Sequence, residues 1–195
     1  EDVASLSGVR KGQNLFWMSV QEIYVKLVEE PWVREAAVRR RLPNTLYIYV
    51  EEHRPAAIIS SGGFFYVDRD STVVKRVEPG DEKDMPLITG VEMNGGSLSD
   101  EGKQRVAAAL DLIDAYQRSN FGNRYGLAEA HYDEVTGYSV FTRREPMQLL
   151  IGQTDFVERM RKVDRIEAAI AARQGRVQYM LADEDGRIIV KYRPA

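Results

Sequence analysis

Few side chains in this 195-residue protein have both the type and the spacing for chemistry. The chain has only two histidines, His53 and His131. They are far apart in sequence and fall in different predicted units, so they read as strand-end imidazoles with ordinary hydrogen bonds rather than as a metal pair. Cysteine is absent, which excludes a thiolate nucleophile, a thiolate metal site and a disulfide framework. There is no G-x-S-x-G elbow, no phosphate-cradling G-x-x-x-x-G-K-[ST] loop and no G-x-G-x-x-G fingerprint. Asp183, Asp185 and Gly186 resemble the start of a calcium loop, but the position that should carry its closing glutamate is Tyr192. A plain β-turn explains them, and the same holds for Asp68 and Asp70. Carboxylates are plentiful, yet nothing in the sequence pairs two of them in an apolar pocket, as acid–base catalysis requires. Arg39, Arg40 and Arg41 form the only dense basic run, with Tyr47 and Tyr49 available to stack on bases. Strand alternation sends Arg40 to the side opposite Arg39 and Arg41, and Glu51 and Glu52 follow. With a net charge of −3, these residues predict a solvated hairpin face, not a nucleic-acid surface. The expectation is a protein that is not an enzyme, with no cofactor and no metal.

The elements that carry these residues are easier to read. Ser19 and Glu22 have capping-box spacing at the start of a helix. Behind them Val20, Ile23, Tyr24, Leu27 and Val28 follow one helical face. Pro31 ends that helix. Ala36, Val38, Arg40 and Leu42 share one face of a strand, and Pro43-Asn44-Thr45 supplies a turn. Leu46, Ile48 and Val50 then alternate with Tyr47, Tyr49 and Glu51 in a half-buried return strand ended by Pro55. Beyond Pro55 come hairpin strands around Gly62-Gly63, a turn at Asp68–Ser71, a strand over Thr72–Val77 and a polar loop. A helix capped by Ser97 or Ser99 spans about Asp100 to Arg118, with Val106, Leu110, Ile113 and Tyr116 along its stripe. Ser119–Gly126 reads as a loop. A three-stranded meander follows over Leu127–Tyr132, Tyr138–Thr142 and Met147–Ile151. A second long helix runs from Asp155, in capping-box spacing with Glu158, to Arg173, where Gly175 suits its stop. Strands Arg176–Leu181 and Arg187–Tyr192 end the chain around the turn 183–186.

This order predicts an α+β protein of two units: a small helix-and-hairpin domain over 1–54, and a larger, mainly antiparallel β domain with two helices over 55–195. At 44% hydrophobic and 29% charged residues the composition is that of a globular protein. No apolar run reaches the roughly 20 residues of a membrane helix. The first residue is Glu1, not Met, so any anchor is expected upstream of this fragment.

The run from Pro31 to Pro55 also resembles the signature of the FtsQ/DivIB family of bacterial division proteins. Gly12-Gln13-Asn14-Leu15-Phe16, Pro31-Trp32-Val33, Val38-Arg39-Arg40, Leu42-Pro43-Asn44-Thr45-Leu46, Ile48, Val50, Glu52, Arg54 and Pro55 are similar to that family's pattern in order. Weaker similarities follow at Val67-Asp68, Pro86–Gly90 and Leu150-Ile151-Gly152. Ser71 stands at a turn position often held by Gly in the family, and Met85 where Leu is common. The resemblance implies a POTRA domain followed by the family's β domain. A complete POTRA begins with a strand before its first helix. Glu1–Leu6 looks like the end of that helix, so the first strand is expected to be missing.

The resemblance further implies a non-enzymatic divisome assembly factor, anchored in the inner membrane by a single upstream helix with this fragment in the periplasm. It implies that the POTRA domain meets other divisome proteins and that the end of the β domain binds FtsB and FtsL. The expected site is the last strand, Arg187, Ile188, Ile189, Val190, Lys191 and Tyr192. At a sheet edge it would accept an added partner strand. Its basic residues favour an acidic partner, and Tyr192 would serve as an anchor. By its residues alone the segment reads rather as a core strand whose charges guard an edge, and the family resemblance is what favours the binding strand. The competing function is a POTRA-bearing module of outer-membrane assembly or secretion, which expects tandem POTRA units or a downstream barrel.

Overall fold

The computed structural model describes residues 3–10, 12–172, 177–182 and 187–192. The chain divides into two compact units, Glu1–Arg54 and Pro55–Ala195.

In the smaller unit, α1 (Val3–Ser7) and α2 (Val20–Val28) precede β1 (Val33–Arg41) and β2 (Thr45–Glu52). The Ser19 side chain accepts from the Glu22 N–H at 3.2 Å and so occupies one of the donors that a helix start leaves open. β1 and β2 form an antiparallel pair in the register Val38↔Ile48 and Arg41↔Thr45, and among the described residues this is the unit's whole sheet. Among the described residues, Ile23, Leu27 and Ala36 are buried in its core, with Met18, Val38, Leu46, Ile48 and Val50 packed around them. The expected helical stripe is therefore only half used: Tyr24 and Val28 face solvent. Leu42 does not extend the strand face either. It sits exposed in the turn, because β1 ends at Arg41.

The larger unit is built on a nine-stranded sheet in the order β11-β10-β9-β8-β7-β6-β3-β4-β5. Its strands are β3 (Pro55–Ser60), β4 (Phe64–Asp68), β5 (Val73–Arg76), β6 (Leu87–Thr89), β7 (Leu127–Asp133), β8 (Gly137–Thr142), β9 (Gln148–Gly152), β10 (Val177–Ala182) and β11 (Ile188–Tyr192). Of the eight strand pairings three are parallel: β3–β6, β6–β7 and β9–β10. Parallel neighbours need a long crossover. The chain supplies it between β6 and β7 with α3 (Asp100–Gln117) and α4 (Asn120–Tyr125), and between β9 and β10 with α5 (Phe156–Ala172). Ile88, Ala130, Val140, Leu149 and Met180 point from the sheet into a continuous core shared with Val106, Leu112, Met160 and Val163 of the helices.

The structure corrects the expectations at several points. Ser119–Gly126 is not a loop but holds α4, whose first N–H groups are taken by Ser119 Oγ (from Gly122, 2.8 Å) and by Asp164 of α5 (from Phe121, 2.9 Å). The helix layer thus has three members, since the buried rings of Phe121 and Tyr125 supply the apolar contacts that so short a helix lacks by itself. The Pro86–Gly90 segment contains β6, a three-residue strand in mid-sheet. Gly90 follows it at φ 77°, where a Cβ would fall 1.8 Å from the Tyr132 carbonyl oxygen, so only glycine fits. Pro55 opens β3 rather than closing the previous strand. Asp155 does not cap α5: it adopts φ 59°, whereas an N-cap residue is extended, and its carboxylate accepts from Thr154 Oγ1. Gly175 and the turn 183–186, with the calcium-like Asp183 and Asp185, lie outside the described residues.

Candidate functional site

The predicted site residues fall on β11, a terminal strand of the nine-stranded sheet. One edge pairs antiparallel with β10 in the register Ala182↔Ile188, Met180↔Val190 and Val177↔Tyr192. Among the described residues no strand pairs with the other edge. An extended strand alternates its backbone groups between its two sides, so part of the N–H and C=O set of β11 points away from the sheet.

The side chains divide by the same alternation. Ile188, Val190 and Tyr192 are half-buried and pack on the main core, while Ile189 and Lys191 are exposed on the opposite face. Ile189 is 49% exposed, a large aliphatic side chain standing open on an edge strand. The Lys191 ammonium lies 5.5 Å from the centre of the Tyr179 ring on β10, a cation–π contact that orients the lysine along the sheet face. Arg187 precedes the strand and is exposed. The structure thus brings all six residues to one edge, but it separates Tyr192 from Ile189 and Lys191: the tyrosine is on the core side.

Sequence reasoning missed what holds this edge in place. Arg159 of α5 is buried, and its Nη1 donates to the Ala182 carbonyl at 2.7 Å, at the end of β10 next to β11. Its guanidinium also rests over Gly152 at the end of β9, within 3.1 Å of where a Cβ would sit. The signal was present: Arg159 falls within the apolar stripe Phe156, Met160, Val163, Ile166, where a charge has no reason to be unless it has a buried acceptor.

The remaining chemistry-bearing groups are structural. Thr89 Oγ1 lies 2.5 Å from Glu129 Oε1 and 2.6 Å from His131 Nδ1, tying β6 to β7. The hydroxyl stands between the carboxylate and the imidazole, whereas a hydrolytic relay needs the imidazole between the other two. Burial pushes the Tyr138 phenol up to about 12, which keeps it a neutral donor to the Arg105 carbonyl at 2.8 Å. Burial likewise raises Tyr116, whose hydroxyl donates to the Gly126 carbonyl. A surface cleft of about 710 Å³ between α3 and α5 is lined by Asp111, Asp114, Asp155 and Asp164. No trio of carboxylates or imidazoles among the described residues is placed to hold a metal ion. In the smaller unit the expected separation of the arginines is observed: Arg40 reaches across to the Met18 carbonyl, while Arg41 Nη1 donates to the Tyr47 hydroxyl at 3.1 Å on the outer face.

Comparison with known proteins places each unit. Residues 1–53 match the family model for the FtsQ-type POTRA domain, and residues 56–183 match that for the C-terminal region of the cell-division proteins FtsQ and DivIB. The chain is 30% identical over 193 residues to a cell division protein FtsQ of Geotalea daltonii, spanning 98% of this chain and 70% of that one. It is 29% identical over 192 residues to the FtsQ of a Geobacter strain, with the same shares. A cell division protein DivIB of Clostridium acetobutylicum is 22% identical over 102 residues, 52% of this chain and 41% of that one. β11 lies beyond the span of the C-terminal family match.

Proposed function

The chain belongs to the FtsQ/DivIB family of cell-division proteins, and from that premise we propose that it is a non-enzymatic, extracytoplasmic scaffold that captures FtsB and FtsL by strand addition along β11. The native protein is held in the inner membrane by an upstream single helix, and this fragment works in the periplasm. No helix among the described residues is long and apolar enough to cross a membrane. The POTRA unit links to other divisome proteins, and the β unit ends in the partner-binding strand.

The observation that carries this reading is the open edge of β11. Strand addition draws affinity from main-chain hydrogen bonds and specificity from alternate side chains. On β11 those alternate side chains are Ile189 and Lys191, with Arg187 at the entrance. An acidic, partly apolar segment is the complementary partner, and its charge mainly speeds encounter and fixes register.

The test is binding of the FtsB–FtsL pair to the wild-type chain and to Val190→Pro and Ile189→Ser, the latter on the exposed face of the strand. Proline cannot donate to a ladder and disturbs the strand's extended pairing. Both variants should remain folded by far-UV circular dichroism and bind at least about tenfold more weakly, the loss of roughly 1.4 kcal/mol. Unchanged affinity in both sinks the reading.

A further inference from the structure

The smaller unit is electrostatically polarised along its hairpin. Between Asp2 and Glu22 the sequence has no acidic residue, and between Glu35 and Glu51 it has none either. Arg39, Arg40 and Arg41 all lie in the second of these gaps, next to the turn 42–44. The opposite end of the same hairpin carries the acidic residues, with Glu35 paired to Glu51 in the register and Glu52 beside them, and Arg34 lies 3.8 Å from Glu51. At about 3.3 Å per residue, Glu35 stands roughly 13–20 Å along the strand from Arg39 and Arg41. That exceeds the Debye length of about 8 Å at physiological salt, so the acidic end does little to cancel the field at the basic tip.

The basic end carries the most exposed of this unit's large apolar side chains, although Tyr24, Val25 and Val28 of α2 and Tyr49 of β2 are exposed elsewhere on it. The loop before α2 packs Met18 against the small core and is tied to the hairpin through the Arg40–Met18 bond. Just before Met18, Asn14 folds the loop into a tight turn. Its Oδ1 accepts from the Phe16 N–H at 2.9 Å and its carbonyl accepts from the Trp17 N–H at 3.3 Å. The turn holds Phe16 65% and Trp17 88% exposed. On the hairpin, Leu42 in the turn is 60% exposed and Tyr47 51%. Exposed Trp, Phe and Leu on one end of so small a unit are unusual for a free surface.

Both features are turns, at residues 14–17 and 42–44. Tryptophan and tyrosine with flanking arginines are the side chains that settle at a bilayer interface, where a ring has one wet and one apolar neighbour. Arginines near an anionic leaflet each add attraction within a Debye length of the surface. We infer that the end of the POTRA unit formed by Phe16, Trp17, Leu42 and Tyr47 with Arg39 and Arg41 docks on the surface of an anionic phospholipid bilayer. The contact is independent of strand capture at β11. It is peripheral: two turn tips enter the headgroup layer and the acidic end of the hairpin faces away from the lipid.

The test uses the full chain and vesicles. Sedimentation with vesicles of mixed phosphatidylglycerol and phosphatidylcholine should pull the protein down, and pure phosphatidylcholine vesicles should not. Replacing both Arg39 and Arg41 with Ser should weaken partition by about fivefold per arginine. Trp17→Ala should weaken it by about tenfold. The chain has two tryptophans, so in a Trp32→Phe background the emission of Trp17 alone should shift to the blue on adding anionic vesicles. Should that background fail to fold, sedimentation of the wild type and Trp17→Ala decides the matter. Absence of binding to anionic vesicles, or binding unchanged by Trp17→Ala, overturns the inference. Capture of polyglutamate through Arg39 and Arg41 with no vesicle binding assigns the surface to an acidic protein and overturns it as well.

Discussion

The POTRA unit and the β unit solve the problem of burying apolar residues very differently. The POTRA unit buries Ile23, Leu27 and Ala36 under a two-stranded sheet and leaves Phe16, Trp17, Tyr24, Val25 and Val28 in contact with solvent. The β unit buries fully such residues as Ile59, Tyr66, Ile88, Leu112, Tyr116, Leu149, Ile151 and Met160 between nine strands and three helices. A domain of some 50–60 residues buries a smaller fraction of its surface than one of 140, and its stability is correspondingly thin. The difference suggests a division of labour. The small unit keeps apolar surface available for contact, while the large one mounts β11 at one edge of its sheet, with β5 at the other.

The strongest way to break this comparison is to damage each core in turn. Leu27→Ala should cost about 2–5 kcal/mol, enough to unfold the POTRA unit while the β unit stays folded. Both tryptophans, Trp17 and Trp32, lie in the POTRA unit, so their fluorescence reports it alone. Urea titration of Leu27→Ala should show that signal lost at low denaturant with the main circular-dichroism transition in place. Leu149→Ala should do the reverse. If the two signals move together in both variants, the units fold as one and the contrast is wrong.

Arg159→Ala tests the mount. The Ala182 carbonyl loses its donor, and about 1–3 kcal/mol of local stability should go with it. Amide exchange should speed up in β10 and β11, with α3 and β7 unaffected. Uniform acceleration across the β unit would mean that Arg159 supports the whole core rather than the edge.

The smallest effect is expected at Ser71. It holds φ 58° at the turn between β4 and β5, where Asp68 Oδ1 accepts from the N–H groups of Asp70 and Thr72. Ser71→Gly removes the left-handed strain, about 1 kcal/mol, and returns part of it as chain entropy. A net gain of about half a kcal/mol should appear as a slightly higher circular-dichroism midpoint, with the tryptophan signal of the POTRA unit unmoved. A loss of stability instead would show that the buried Ser71 side chain contributes more than its backbone costs.

The local signals in the sequence determined a great deal. Ser19 and Ser99 cap helices because a serine oxygen can take an open N–H, and that chemistry depends only on near neighbours. The alternation in Leu46–Val50 and the Gly62-Gly63 turn are local in the same way. The motifs from Pro31 to Pro55 were enough to suggest the family, and both family matches agree. What failed were features whose stability comes from distant partners. β6 is three residues long, too short for any periodic pattern, and exists because β3 and β7 flank it. α4 depends on Asp164, some forty residues on, to accept its first N–H groups. The six residues Arg187–Tyr192 read by themselves as a core strand with guarding charges, and as a docking strand only through the family resemblance. Only the sheet order decided that β11 stands at an edge with Ile189 and Lys191 outward and Tyr192 toward the core, because strand neighbours are chosen by long-range pairing and packing.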